Sequence, residues 1–454
     1  MNDQEPSPPR APFRGGRAFG AILLGQLFST IGSGMTRFGL GIWVFATTRD
    51  AAAFSTLLFF AVLPLGMGSL FAGPLVDRLN RKRVMIAANA AASLSTLAIA
   101  LLYFSSALEL WHLYIALFVN GVANAFILPA LESSTPLMLS KEQLGRAAGI
   151  TQMVQGLETI VAPALAGILV GSLGLGAIFV VDFVTFGASV LGITLSVIPQ
   201  PTSDGSKKSL WEEFMFGLRY VRDRPAFLYL MGFVTWVMFL LPGLGYALVT
   251  PLTLTFSTEQ AAGLVVSGFG VGSIVGGIAL AAWGGPKRRM NGMLAATAVA
   301  GLATAAVGVR ENTVLMGLSF VIVGASLIFM IGLNRVLWQT KAAPEVQGRI
   351  FALRVAVGVG AQSIGVFTAG WLAEQVFEPM LIQGGPLSGT VGTFIGIGEG
   401  RGMGFMYVVI GGVLLATATV SALSPSIRLF EDRIPDHAPD PDALAYKEEV
   451  EVGH

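Results

Sequence analysis

Twelve apolar runs, most of them 20 residues or longer, follow one another along this chain with short polar breaks: residues 18–46, 52–76, 84–107, 110–135, 147–171, 176–199, 226–254, 258–284, 291–309, 313–340, 350–376 and 402–425. Such a run is about what an α-helix needs to cross roughly 30 Å of hydrocarbon at 1.5 Å per residue. Closed β-barrels would show short alternating segments rather than continuous stretches such as Ala87–Leu102, so the reading is an all-α membrane protein of twelve transmembrane helices. Composition supports this where it bears on surface. Only 12% of the 454 residues are charged and 54% are hydrophobic, too few charges to cover the about three soluble domains that this length would otherwise make. The 28 basic and 27 acidic residues nearly cancel, so no global field recruits nucleic acid. With no cysteine, disulfides, thiolate chemistry and cysteine metal sites are excluded.

Lysine and arginine fall on alternate breaks. One side collects Arg10, Arg14 and Arg17; Arg78, Arg81, Lys82 and Arg83; Lys141 and Arg146; Lys207, Lys208, Arg219, Arg222 and Arg224; Lys287, Arg288 and Arg289; Lys341 and Arg349; Arg428, Arg433 and Lys447. The other side has Arg49, Arg310 and Arg401, while Arg37, Arg335 and Arg354 fall inside the spans. The positive-inside rule then places both termini in the cytoplasm of a multi-pass cell (inner) membrane protein, which requires an even number of spans. Residues 1–17 form a basic, proline-containing cytoplasmic segment that leads into a run too long for a secretory signal core, so this run stays as the first span.

The longest cytoplasmic connection, residues 200–225, divides an N-terminal six-span bundle (18–199) from a C-terminal one (226–425). Trp211, Phe214, Leu218 and Val221 opposite Glu212, Glu213, Arg219 and Arg222 predict an amphipathic helix along the inner membrane surface. The tail, 426–454, is acidic and proline-rich, and is expected to be disordered for want of apolar surface. Glu142-x-x-Gly145-Arg146 before span 5 matches Glu345-x-x-Gly348-Arg349 before span 11, and Ala166-Gly167-x-Leu169 matches Ala369-Gly370-x-Leu372 at the same offset. Duplicated halves place a substrate site at their interface near the midplane.

Between spans 2 and 3 stands Gly73-Pro74-Leu75-Val76-Asp77-Arg78-Leu79-Asn80-Arg81-Lys82-Arg83. A carboxylate at the inner end of one helix can meet the positive N-terminus of another, and basic neighbours can hold the loop by charge-assisted bonds. The segment resembles the signature of the major facilitator superfamily, Gly-x-Leu-x-Asp-Arg-x-Gly-Arg-(Arg/Lys), with Asn80 at the second glycine, a residue that tolerates a left-handed turn. The resemblance implies two pseudo-symmetric six-helix bundles. It also implies that Asp77 meets the start of span 11 near Arg349 and that Arg81 reaches Glu132 at the inner end of span 4. Gly73, Asp77, Arg78, Arg81, Glu132 and Arg349 would then form a cytoplasmic gate. The second-half loop Gly284-Gly285-Pro286-Lys287-Arg288-Arg289 keeps the bases without an acid, so such a latch is asymmetric. A loop that serves topology alone is the alternative.

Span 5 carries Gly149, Glu158, Ala162-Pro163 and Ala166-Gly167, a pattern similar to the antiporter motif of drug-exporting facilitators, Gly-x8-Gly-x3-Gly-Pro-x2-Gly-Gly. Small residues permit close helix approach and Pro163 bends the helix. Glu158 falls near the middle of the span, where an ionised side chain costs about 3 kcal/mol or more unless paired or wetted. A carboxyl group that is neutral in one state and ionised in another is what proton coupling requires. Asp182 in span 6 and Arg37 in span 1 lie at similar heights, which allows an ion pair between them. Glu158 is the first proton-coupling residue on this reading and Asp182 the second, with Arg37 as countercharge; structural acids or a static buried pair are the alternative.

Gln26, Thr30, Ser33 and Arg37 share one face of span 1, and Asn120 and Asn124 stack on span 4. In the facilitator fold helices 1, 4, 7 and 10 line the central cavity, so the resemblance places both faces there. Spans 7 and 10 offer Thr235, Trp236, Met238, Phe239, Tyr246, Ser326, Phe329 and Met330, surfaces that suit bulky amphiphiles. No P-loop is present, which argues against ATP as the energy source. His112 is the only histidine outside the tail, so no zinc site or Ser-His-Asp arrangement can be assembled, and no cofactor or metal is expected.

The segments Leu144-Gly145-Arg146-Ala147, Val181-Asp182-Phe183-Val184-Thr185-Phe186, Gly217-Leu218-Arg219-Tyr220-Val221-Arg222 and Gly400-Arg401-Gly402-Met403-Gly404 look like the macrolide-efflux branch of drug:proton antiporters, which also includes siderophore exporters. That likeness implies a monomeric secondary transporter that exports an amphiphilic small molecule in exchange for protons by alternating access. Siderophore export or lysophospholipid flipping would use the same residues. A membrane-embedded transferase would need an acid/base cluster that the sequence lacks.

Overall fold

The computed structural model describes residues 15–196, 198, 210–425 and 430–433. Twelve helices are long and apolar enough to span a bilayer: α1 Gly15–Thr48, α2 Ala51–Arg78, α3 Arg81–Phe104, α4 Leu110–Met138, α5 Lys141–Leu173, α6 Leu175–Leu195, α7 Pro225–Phe256, α8 Glu259–Trp283, α9 Arg289–Val309, α10 Thr313–Lys341, α11 Val346–Leu381 and α12 Arg401–Leu423. Among the described residues there is no strand. Polar residues stop and start these helices where the apolar runs break. Asp50 caps α2 by accepting from the Ala53 amide at 2.7 Å, and Asn312 caps α10 by accepting from Val314 and Leu315. Asn80 is extended (φ −68°) and accepts from the Arg83 amide, so it stands at the signature's glycine position as the N-cap of α3 and not as a left-handed turn.

The packing order repeats between halves. In the first, α1 packs on α5 and α6, α4 on α2 and α3, and α3 on α6; in the second, α7 packs on α11 and α12, α10 on α8 and α9, and α9 on α12. The halves meet through α2 against α11 and α5 against α8, two contacts exchanged by the same repeat. Small residues set the close approaches. A side chain at Gly272 of α8 would run into the Val321 carbonyl of α10, and one at Gly308 of α9 into the Gly404 carbonyl of α12. Within α7 the ladder loosens into a π-helical segment, Phe239–Gly245, around Pro242, whose missing N–H the wider turn accommodates.

The linker helix, Leu210–Arg222, turns Val221 into the core with Phe214 beside it, and Gly217 lies against the Arg349 carbonyl of α11. Leu218, expected on the apolar face, is instead exposed with Phe216, because the docking face runs through 214, 217 and 221. Part of the tail departs from expectation too. Phe430 is buried against Phe227, the Glu431 carboxylate accepts from the Met290 amide at 3.0 Å, and Lys341 Nζ donates to the Glu431 carbonyl at 2.9 Å. One aromatic anchor and two bonds order residues 430–433 in an otherwise acidic stretch; most of the remaining tail, like residues 1–14, lies outside the described residues.

Replacing Gly272 by leucine puts a side chain into backbone and should cost about 1–3 kcal/mol, whereas leucine at Gly277, whose nearest neighbour is 3.9 Å away, should cost far less. Thermal unfolding of the two variants in detergent checks this; equal losses would contradict the close α8–α10 approach.

Candidate functional site

A cavity of about 540 Å³ lies between the halves. Its walls are Gln26, Thr30, Arg37 and Phe38 from α1, Leu58 and Leu65 from α2, Asn120, Asn124 and Leu131 from α4, Gln155, Glu158 and Pro163 from α5, Tyr246 and Thr250 from α7, and Val266 from α8. The helix seams explain where it opens. Near the end remote from the chain termini, Gly370 of α11 lies on Ala51 and Ser55 of α2, with its amide 3.1 Å from Ser55 Oγ; Gly167 of α5 lies on the Glu259 carbonyl and Gly263 of α8 on the Pro163 carbonyl. Ser267 Oγ donates to the Ile160 carbonyl at 2.6 Å. At the terminal end, side chains at Gly145 and Gly149 of α5 or at Gly348 of α11 would meet nothing within 4 Å. The halves therefore close at the far end and part toward the termini.

Charge within the cavity is concentrated in one pair. Arg37 Nη2 donates to Glu158 Oε1, joining α1 to α5, and the Tyr246 hydroxyl of α7 lies within Coulombic reach of both. Both partners remain partly exposed, at 31% and 22% of their side-chain surface, so water wets a pair that hydrocarbon would exclude. The rest of the polar wall is neutral. Asn124 Nδ2 donates to the Asn120 side-chain oxygen at 2.8 Å, and Gln26 Oε1 is buried without a partner among the described residues. An orphan acceptor of this kind fits a donor from a bound molecule or water. The described residues hold no group of three or more histidine, aspartate and glutamate side chains able to bind a metal.

Asp182 is outside this cavity, 3% exposed, and accepts from Ser33 Oγ (3.1 Å), Thr36 Oγ1 (2.8 Å) and Thr96 Oγ1 (3.2 Å). The Arg37–Asp182 pair that their equal heights allowed is thus replaced by Arg37–Glu158. Ser33, expected in the cavity, is turned to Asp182: on a helix advancing 100° per residue it sits roughly 20° beyond Gln26 and 40–80° from Leu23, Thr30, Arg37 and Gly41, at the edge of the cavity face toward α6. Two further expectations fail for reasons of rotation. Trp236 is half-exposed and donates to Thr417 Oγ1 at 3.1 Å, and Met330 is 1% exposed in the core against Thr297. Thr36 and Thr96 were missed because single threonines in apolar helices carry no local signal; only their convergence on Asp182 gives them a role.

At the terminal end, Arg81 is buried and donates to the Ser133 carbonyl at 2.6 Å, one residue beyond Glu132. Arg349 lies over the Phe216 ring at 4.8 Å. The side chains of Asp77 and Arg78, and the burial of Gly73, lie outside what is described. Of the span 5 motif, Pro163 lines the cavity, Gly167 packs on α8, and Gly149 faces open space.

Comparison with known proteins agrees with this architecture. Residues 22–366 match the family described as Major Facilitator Superfamily. The chain is 27% identical to macrolide efflux protein A of Streptococcus pyogenes over 79% of its own length and 90% of that protein. It is 23% identical to an enterobactin exporter of Citrobacter koseri over 79% and 86% respectively. The crystal structure of a mutant of the nucleoside transporter NupG superposes with a TM-score of 0.67 at 14% identity, covering 89% of this chain and 99% of that one.

Replacing Asp182 by alanine strands the buried Ser33 and Thr36 hydroxyls, while Thr96 keeps the Ala92 carbonyl at 3.3 Å, and should destabilise the protein by about 1–3 kcal/mol; asparagine, which keeps one acceptor oxygen, should cost less. Melting temperatures of the purified variants test this. An alanine variant as stable as the parent would show that the hydroxyl cradle is dispensable.

Proposed function

The chain belongs to the major facilitator superfamily, and from that premise we propose that it is an exporter that exchanges an amphiphilic small molecule for protons by alternating access. The supporting observation is the Arg37–Glu158 pair on the wall of a cavity shared by both halves. Positive-inside bias favours cytoplasmic termini, so the open terminal end corresponds to an inward-open state. The N-terminal bundle (18–199) and C-terminal bundle (226–425) rock about the seams α2–α11 and α5–α8, with residues 200–225 as the connector.

Glu158 is the coupling residue in this reading. While ionised it holds Arg37 and needs the cavity wet. A proton loaded from outside neutralises it and breaks its bond to Arg37, which loosens α1 from α5; Arg37 stays charged, so water or cargo must remain on the guanidinium as the halves close. Opening inward rehydrates the site, and the proton leaves as the pair re-forms. Each charge carried down 100 mV supplies about 2.3 kcal/mol, to which a pH difference adds. Asp182 acts as a structural acid that fixes α1 against α3 and α6. The neutral wall of Gln26, Thr30, Asn120 and Asn124 faces the polar groups of the cargo, and Leu58, Leu65, Leu131 and Val266 face its apolar body. The macrolide and enterobactin exporters among the relatives favour a large, multiply hydroxylated cargo. Gly73, Asp77, Arg78, Arg81, Glu132 and Arg349 serve as the inner gate, which forms when the cavity faces outward.

In proteoliposomes, the wild type should take up a macrolide, or in a parallel arm a catecholate siderophore, in response to an imposed pH gradient. Glu158→Gln should lose at least tenfold of the gradient-dependent rate while still binding cargo. Gradient-driven uptake that survives in Glu158→Gln would refute the coupling role. For the gate, Asp77→Asn should enlarge the inward-open population, read as longer spin-label distances between the terminal ends of α4 and α10; unchanged distance distributions would remove Asp77 from the gate.

A further inference from the structure

Two arginines inside the C-terminal half have no task in the account so far. Arg335 of α10 lies six residues, about 9 Å, from that helix's terminal end, and Arg354 of α11 lies eight residues, about 12 Å, inside its own start at Val346. Neither guanidinium makes a hydrogen bond or ion pair with a described residue. They lie within Coulombic reach of one another, and Arg335 also within reach of Glu132 on α4 of the opposite half. The site has a rigid floor. Arg354 is centred over Trp338 at 4.9 Å and over Phe351 at 5.3 Å. Trp338 is 1% exposed, bonded through Nε1 to Asn334 Oδ1 at 3.1 Å, and stacked on Phe227 at 4.6 Å.

Two neighbouring cations toward the terminal end, neither bonded to an acid among the described residues, leave an excess positive charge that an anion would complete. Aromatic rings orient a guanidinium by its face and leave its N–H edge free to bind bidentately. Glu132 makes no ion pair with a described residue, and Leu128 and Leu131, its neighbours on α4, line the cavity.

We propose that Arg335 and Arg354 form a binding site for the anionic group, a carboxylate or phosphate, of an amphiphile whose apolar part extends into the cavity. Glu132 takes the place of that anion when the terminal end closes, so the ligand and the closing acid compete for one pair of arginines. This deepens the export reading by naming the charge of one cargo class, and it rests on that reading only for the direction of movement.

Binding without any gradient tests it. The full-length protein in nanodiscs of zwitterionic phosphatidylcholine is titrated with dodecyl phosphate and with dodecyltrimethylammonium, which share a chain and differ in headgroup charge. The wild type should prefer the phosphate at least tenfold; Arg335→Gln together with Arg354→Gln should erase the preference, and Glu132→Gln should strengthen it severalfold. Arg335 is exposed, so Arg335→Gln alone serves if the double variant folds poorly, and it should lose most of the preference. Competition by phosphatidylglycerol added to the disc would identify a lipid as the source of the anion. Inorganic phosphate competing as well as dodecyl phosphate would overturn the amphiphile. Equal affinity for the two headgroups, or a preference that survives the arginine substitutions, would overturn the site. Failure of gradient-driven export would leave this headgroup preference intact, so the two proposals fail separately.

Discussion

An ion pair at the depth of the hydrocarbon core governs the rest of this architecture. Arg37 and Glu158 can keep their charges only because the helices bearing them, α1 and α5, border a wetted cavity. In apolar surroundings each would cost several kcal/mol, and the carboxylate would take up a proton instead. On the proposed reading, whatever keeps water there is coupled to the charge state of Glu158. The seams α2–α11 and α5–α8 are tight at the far end and open at the terminal end, which admits water from one side only. In the proposed cycle a proton on Glu158 shifts the balance between these arrangements.

Asp182 shows the opposite solution to the same constraint. It has an acid's charge, a span's depth and almost no exposure, yet three hydroxyls from α1 and α3 meet its two oxygens. Such a carboxylate is satisfied in place and ties three helices together. Glu158 has one partner, solvent access and a neighbouring tyrosine from the other half. The contrast separates a fully bonded, buried acid from a partly wetted one with a single partner, although the sequence gives both the same appearance of an isolated carboxylate in an apolar run.

The spans were legible because hydrocarbon imposes a length and because polar caps such as Asp50 and Asn312 mark the breaks; their bounds differ from the sequence reading by a few residues at most ends. The cavity wall was legible where a polar stripe repeats at helical spacing, as with Gln26, Thr30 and Arg37, and with Asn120 and Asn124. Rotation was not legible where residues are apolar on all sides. Trp236 and Met330 have the same sequence surroundings as true wall residues, and only packing turns one outward and buries the other. Ser33 failed for a finer reason: it sits at the edge of the stripe, and Asp182 on the neighbouring helix competes for its hydroxyl. Nor could spacing within single helices reveal that Arg335 and Arg354 approach one another, since that depends on how α10 meets α11.

Infrared difference spectra of the lipid-reconstituted protein between neutral and acid pH look most directly at the proton itself. Beyond the signal that other carboxylates give in every variant, the account predicts a component of the protonated-carboxyl band that is present in the wild type, missing from Glu158→Gln, and kept in Asp182→Asn. An identical band in all three proteins would place the titrating group elsewhere and contradict the account.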